Sequence, residues 1–217
     1  MGLAIFDLDE TLLAGDSDYL WGNFLVEEGI VDGELYQREN DRFFQQYKEG
    51  TLNIKEWLRF QLKPLAELEP TRLFALRTRY LAERIDPIIL PAARALIEHH
   101  RQQNHTPLII TATNAFITRP IAERLGIPNL LASEPEFVNG RYTGEVSGIP
   151  SFREGKVIRL RAWLEEQNIG LTESWFYSDS HNDLPLLELV THPVAVNPDP
   201  VLTSTAKARE WQIINLR

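Results

Sequence analysis

Asp7 and Asp9 stand two residues apart where the apolar run Leu3-Ala4-Ile5-Phe6 ends, and Thr11 follows two residues later. Two carboxylates and a hydroxyl at that spacing suit phosphoryl transfer, which uses a nucleophile and a proton shuttle. If Leu3 to Phe6 form a buried strand, both carboxylates sit at its carboxyl end, where ligands bind in open α/β sheets. Even offsets along an extended chain share a face, so Asp7 and Asp9 can converge on one ligand. Asp and Thr after a strand also make turns and helix caps, so this stretch alone supports either reading.

A second acidic loop, Ser178-Asp179-Ser180-His181-Asn182-Asp183, follows the apolar run Trp175-Phe176-Tyr177. In a parallel sheet Asp179 reaches the same rim as Asp7 and Asp9. Two like charges about 4 Å apart repel by roughly 4 kcal/mol at an effective dielectric of about 20, so three carboxylates there call for a cation. Oxygen ligands, without cysteine or paired histidines, point to Mg2+ rather than Zn2+. The bland alternative is a solvated loop opening a helix at Leu184. Thr111 closes the run Leu108-Ile109-Ile110, and its hydroxyl and the N–H groups of Ala112 and Thr113 can donate to a phosphoryl oxygen. Lys156 stands at the start of a helix over 157–167, where a cation opposes the helix dipole unless it meets an anion. His99 and His100 are neighbours on one helix and read as surface residues, and His181 reads equally as a substrate contact or an ordinary loop histidine.

The elements that position these groups follow from hydrophobic periodicity. From Asp16 to about Asp86, apolar residues recur at helical spacing among charges (Trp21, Phe24, Leu25, then Phe43, Phe44, Tyr47), which predicts several amphipathic helices. Gly50-Thr51 and Pro64 break the segment, and Pro70-Thr71 starts another helix. A helix over 92–103 follows. The pattern then alternates: a strand at Leu108–Ile110, a helix over 119–125 with Pro120 in its first turn, a strand at Trp175–Tyr177, a strand at Pro193–Val196 and an edge strand over 211–216. Asn139-Gly140 predicts the turn of a hairpin over 136–143. The whole reads as one α/β core with a doubly wound parallel sheet, whose first strand is separated from its second by a helical insertion able to cover the carboxylates.

With 217 residues, 43% hydrophobic and 24% charged, the chain holds one full core or a core plus a smaller domain. A net charge of -9 argues against nucleic-acid or anionic-membrane binding, which require clustered Lys and Arg. There is no cysteine, hence no disulfide or thiolate site. No leader of the secretory kind and no run near the roughly 20 apolar residues of a membrane helix is present, so a cytoplasmic protein is expected, as a monomer or homodimer.

In chain order, Asp7-x-Asp9-x-Thr11, Thr111, Lys156 and Asp179-x-x-x-Asp183 resemble the four motifs of the haloacid dehalogenase superfamily. The helical insertion resembles the C1 cap of its phosphoserine-phosphatase-like subfamily. The resemblance implies a Rossmann-like core at residues 1–14 and 87–217, with a small all-helical cap at 15–86. It implies a Mg2+-dependent phosphatase acting on a small phosphorylated metabolite. Asp7 would attack phosphorus to give an aspartyl-phosphate, and Asp9 would act as acid and then base. Mg2+ would be held by the Asp7 carboxylate, the Asp9 carbonyl and Asp179, supported by Asp183 and Thr11. Thr111, Ala112, Lys156 and Asn182 would bind the phosphoryl group. The fourth motif reads Ser178-Asp179-Ser180-His181-Asn182-Asp183 where phosphoserine phosphatases usually carry Gly-Asp-Gly-x-Asn-Asp, and Thr111-Ala112-Thr113-Asn114 replaces a serine followed by glycines. These departures weaken phosphoserine as substrate. The stretch from Asp7 to Trp21 is similar to a branch that includes histidinol-phosphate phosphatases, in which Asp16, Asp18 and Trp21 would suit a cationic amine and an imidazole. The alternatives are phosphoserine or another amino-alcohol phosphate, and a non-catalytic metal-dependent binder of phosphorylated ligands.

Overall fold

Leu3–Phe6 form the first strand, β1, and all four residues are buried, as a continuous apolar run between two helical layers requires. The structure is a computed structural model describing residues 2–217. After β1 come four helices, α1 (Ser17–Glu27), α2 (Gly33–Lys48), α3 (Ile54–Glu67) and α4 (Pro70–Tyr80). The chain then enters α5 (Pro91–Gln102), β2 (Thr106–Asn114), α6 (Ala115–Arg124), β3 (Asn129–Val138) and β4 (Arg141–Ser147). It ends through α7 (Glu154–Gln167), β5 (Ser174–Ser178), α8 (Leu184–Leu187), β6 (His192–Val196), α9 (Pro200–Ala208) and β7 (Gln212–Ile214).

The strands form one sheet in the order β4-β3-β2-β1-β5-β6-β7, parallel except for β4. β1 lies at the centre, with Phe6 level with Ile109 of β2 and Tyr177 of β5. That register brings Asp7, Thr111 and Asp179 to one rim. Beyond Ile110, β2 bulges against β3: Ile110 and Asn114, four residues apart, face Leu131 and Ser133, two apart. The intervening residues Thr111 to Thr113 face the single residue Ala132, an irregularity at the rim of the kind bulges near sites commonly make.

Alternate residues of β1 enter separate apolar clusters. Leu3 and Ile5 join Leu108, Ile110 and Phe176 on one face. Ala4 and Phe6 join, on the other, a cluster that continues through Trp21, Phe24, Leu62, Leu73 and Tyr80 of the inserted helices. The helical segment is thus built on the sheet's own core.

Three expectations need correction. Pro64 does not break the insertion but sits buried inside α3. α6 begins at Ala115, with Asn114 as its cap, so Pro120 is interior rather than in the first turn. Proline removes the N–H that would bond to the carbonyl four residues back, and Phe116 O accepts instead from Arg77 Nη1 of α4 at 2.8 Å. His100 is not on the surface: it is buried, with Nδ1 2.9 Å from His105 Nδ1 and Nε2 2.8 Å from the Tyr177 hydroxyl. The Asn139-Gly140 turn lies between β3 and β4 with φ of 50° and 81°, the doubly left-handed pair its dipeptide favours.

Candidate active site

Asp7 continues β1, its N–H donating to Tyr177 O at 2.9 Å, so the sheet itself fixes its backbone. Its side chain is 7% exposed and accepts from Lys156 Nζ through Oδ1 at 2.8 Å. Lys156 lies in the first turn of α7, is 3% exposed, and also donates to Asp183 Oδ2 at 2.8 Å. The Ser178 hydroxyl donates to the same Asp183 oxygen at 2.7 Å. The anion that the helix-start lysine called for is therefore a pair of buried carboxylates. Burial pushes the Asp7 carboxyl up to about 7 against the pull of Lys156, with Asp183 adding to the rise. Burial opposes the Lys156 charge, yet Asp183 and Asp7 outweigh it and hold the ammonium more tightly protonated than usual.

Asp9 points elsewhere. Its Oδ1 accepts from the Ser17 N–H at 2.6 Å and its Oδ2 from the Thr113 hydroxyl at 2.9 Å, so one carboxylate ties the start of α1 to the β2 bulge. Burial lifts its pKa to about 6, and the Asp16 charge adds to the rise. Asp179 accepts from the Thr11 hydroxyl at 3.3 Å, and burial followed by the charges of Asp7 and Asp183 holds its carboxyl well above the usual range.

A cavity of about 620 Å³ joins these groups. Asp7, Asp9, Asp179, Asp183, Lys156, Thr111 and Ala112 line its floor, while Asp16 and Asp18 line it on the side of the inserted helices, with Phe43, Tyr47 and Trp57. Asp16 caps α1, accepting from the N–H groups of Asp18 and Tyr19 at 2.9 and 2.8 Å. Asp18 is 1% exposed; one oxygen accepts from Asn114 Nδ2 at 3.3 Å, and Oδ2 is buried without a hydrogen-bond partner.

Three sequence-predicted residues, Thr11, Trp21 and Asn182, do not line the cavity, and Thr11 reaches it only through Asp179. Trp21 is fully buried in the core, stacked on Phe24 and edge-on to Tyr80 at 5.1 Å between centroids. Its place on α1 turns it toward the sheet rather than toward Asp16 and Asp18. Asn182 does not line the cavity either: its Oδ1 accepts from Arg153, and its Nδ2 donates to Tyr47 O at 2.9 Å. Nor is the Thr113 N–H free for a phosphoryl oxygen, since it donates to Thr111 Oγ1 at 3.2 Å. The Thr113 hydroxyl, which holds Asp9, was legible in principle, because Thr111 and Thr113 share a strand face. Nothing in the sequence announced Asp199, whose Oδ2 lies 2.8 Å from His181 Nδ1 and accepts the His181 N–H at 2.7 Å.

The donor set fits a small, hard dication. All candidate ligands are oxygens, and the three carboxyl groups of Asp7, Asp179 and Asp183 share a single ammonium, so a dication would relieve the crowding that lifts the Asp7 and Asp179 carboxyls. Among the described residues no three His, Cys, Asp or Glu side chains gather as a metal cluster. The implied set asks for two carboxylates and the Asp9 carbonyl, since the Asp9 side chain is already engaged.

The model of the haloacid dehalogenase-like hydrolases matches residues 4–188. A histidinol-phosphatase of Neisseria meningitidis serogroup C (strain 8013) is 42% identical over 219 aligned residues, covering 99% of both chains. A Bordetella pertussis Tohama I protein of unknown function, known as a crystal structure, superposes with a TM-score of 0.93 at 43% identity, over 99% of this chain and 98% of that one. A phosphoserine phosphatase crystallised as an analogue of its phospho-aspartyl intermediate matches at a TM-score of 0.71 and 19% identity, over 100% and 93% of the two chains, a likeness of fold.

Proposed function

We propose that this chain, which belongs to the haloacid dehalogenase-like hydrolase family, hydrolyses the phosphate ester of a small metabolite through a covalent intermediate on Asp7, and that its substrate is L-histidinol phosphate. The observation that carries the chemistry is the buried Asp7–Lys156–Asp183 arrangement on the cavity floor. An Asp7 carboxylate oxygen attacks phosphorus. The bond from phosphorus to the ester oxygen breaks, its electron pair stays on that oxygen, and protonated Asp9 supplies the proton. Water then attacks the aspartyl-phosphate, Asp9 takes the water's proton, and the Asp7–phosphorus bond breaks to release inorganic phosphate. Lys156, the Thr111 hydroxyl and the Ala112 N–H hold the phosphoryl oxygens throughout, supplying the fixed charge and donors on which phosphoryl transfer depends. Mg2+, held by the Asp7 carboxylate, the Asp9 carbonyl and Asp179, supplies positive charge against the phosphoryl oxygens when bound. Thr11 orients Asp179, and Asp183 orients Lys156.

Residues 15–86 act as the cap that selects the substrate. Support for a cationic substrate comes from Asp16 and Asp18, which both line the cavity, where burial, then the charges of Asp16 and Asp9, hold the Asp18 carboxyl well above its usual range. An entering cationic group would favour the ionised form of such a carboxyl and pair with it. The full-length likeness to a histidinol-phosphatase supports the same choice. No helix among the described residues is long and apolar enough to cross a membrane; the cytoplasm is the proposed setting, in keeping with a chain that lacks cysteine. The test is phosphate release in Mg2+ from a panel containing histidinol phosphate, phosphoserine and other amino-alcohol phosphates. Histidinol phosphate should lead in kcat/KM by about tenfold or more. Equal rates across the panel would sink the substrate assignment, and no release from any member would sink the reaction.

A further inference from the structure

Arg153 and Asn182 take no part in holding phosphate in the reaction above, and both reach to the inserted helices. Arg153 Nε and Nη2 donate to Asn182 Oδ1 at 3.0 and 2.9 Å, and Nη2 also donates to Gly50 O. Asn182 Nδ2 donates to Tyr47 O at 2.9 Å. Tyr47 lies in the last turn of α2 and Gly50 two residues past its end, so both carbonyls stand at the negative end of the helix dipole; Tyr47 O also accepts the Gly50 N–H at 3.1 Å. A guanidinium and an amide are the donors such an end accepts. Beneath them Phe43 and Leu52 of the insertion pack in one apolar cluster with Phe152, the residue before Arg153, and Ala112 packs against it.

Two backbone features are specific to this junction. Gly50 has φ of +69°, and a Cβ there would lie 2.9 Å from Arg153 Nη2 and 3.0 Å from His181 Nε2. Arg153 itself holds φ of +50°, a left-handed value rare outside glycine, asparagine and aspartate. Non-glycine residues persist in such conformations where surrounding contacts over-determine them. Along the chain, Arg153 O accepts the Lys156 N–H at 2.9 Å, and Asn182 precedes Asp183. Asn182 is thus covalently next to Asp183, and Arg153 stands three residues before Lys156, joined to it by a main-chain hydrogen bond.

We infer that Arg153 and Asn182 form a latch that holds the end of α2 shut over the cavity and, when shut, positions Lys156 and Asp183. They are positioning residues; neither lines the cavity floor. The kinetic consequence rests on the phosphatase reading, whereas the latch itself does not. Hydrogen exchange of the whole protein, without substrate, tests the latch in two independent variants, Arg153→Ala from the core side and Gly50→Ala from the cap side. Exchange over residues 44–52 should quicken about tenfold or more in both, with β1 and β2 unchanged. Unchanged exchange in either correctly folded variant overturns the latch. The positioning claim expects kcat/KM for the best substrate of the panel to fall about tenfold or more in both, with Arg153→Lys recovering part of the loss. Quickened exchange with kcat/KM intact overturns positioning and leaves the latch standing. Absence of turnover in the unaltered protein defeats the phosphatase reading and leaves the exchange result decisive.

Discussion

Asp7 and Asp9 are separated by one leucine, and their surroundings differ in kind: Asp7 touches the Lys156 ammonium, whereas Asp9 is held by a main-chain N–H and the Thr113 hydroxyl. That difference is in keeping with the proposed roles, attack for the first and proton transfer for the second. Asp7→Asn removes the attacking oxygen while keeping size and burial, so turnover should fall roughly 10⁴-fold or more. Circular dichroism should stay that of the unaltered protein, and residual turnover near the starting rate would refute the nucleophile. Thr113→Val keeps the shape of the bulge and deletes the donor to Asp9. It should lower kcat about 10- to 100-fold with KM little changed, because a loosened acid–base group is misplaced in the chemical step; steady-state kinetics decides. The gathering of the proposed catalytic residues at one cavity was legible because four weak signals arrive at one rim. Asn182 and Trp21 were misread for a common reason: sequence gives a residue's neighbourhood, and not the direction in which its side chain leaves the backbone.

The inserted helices were readable as elements, since their apolar residues keep helical spacing, but what they pack on was not. Trp21, Phe24 and Tyr80 continue the core beneath Ala4 and Phe6, and nothing in helical periodicity says which surface a stripe will meet. Trp21→Phe should therefore cost about 2 kcal/mol of stability, as a core truncation does, and leave the KM for the preferred substrate unchanged. Urea unfolding and kinetics on one preparation separate the two effects, and a raised KM at full stability would return Trp21 to the substrate. Proline was the least dependable boundary signal. Both Pro64 and Pro120 lie inside helices, and at Pro120 the freed carbonyl is taken up by Arg77 from another helix. A local penalty was thus turned into a bond between the insertion and the sheet layer, which no local rule could have indicated.

Across the whole molecule the parallel sheet and the burial of β1 were implied by the strand–helix alternation and by the unbroken apolar run, while the strand order and the imidazole cluster behind α5 were not. Burial, then the charges of His105 and His99, lower the His100 pKa to about 4 from an ordinary 6.5. Below pH 6.5 the unfolded chain takes up a proton that the folded chain refuses until about pH 4, so this group subtracts stability as pH falls through that window. The contribution is on the order of 2 kcal/mol between neutrality and the lower end of the window. His100→Gln should flatten the decline of the urea midpoint between pH 7.5 and 5; parallel slopes in the two proteins would exclude the histidine as its source.

The central strand also bears on how the protein comes into being. Leu3 pairs with Thr106, 103 residues on, and with Ser174, 171 residues on. Loops of that length close late, because their entropy is lost before any contact repays it. On the ribosome, Asp7 and Asp9 are thus made long before Asp179, and no reactive centre is assembled until β5 emerges and seats beside β1. The nascent chain carries these two carboxylates unassembled until Ser174, 171 residues after Leu3, has been added, and its chemistry is acquired only when β5 arrives.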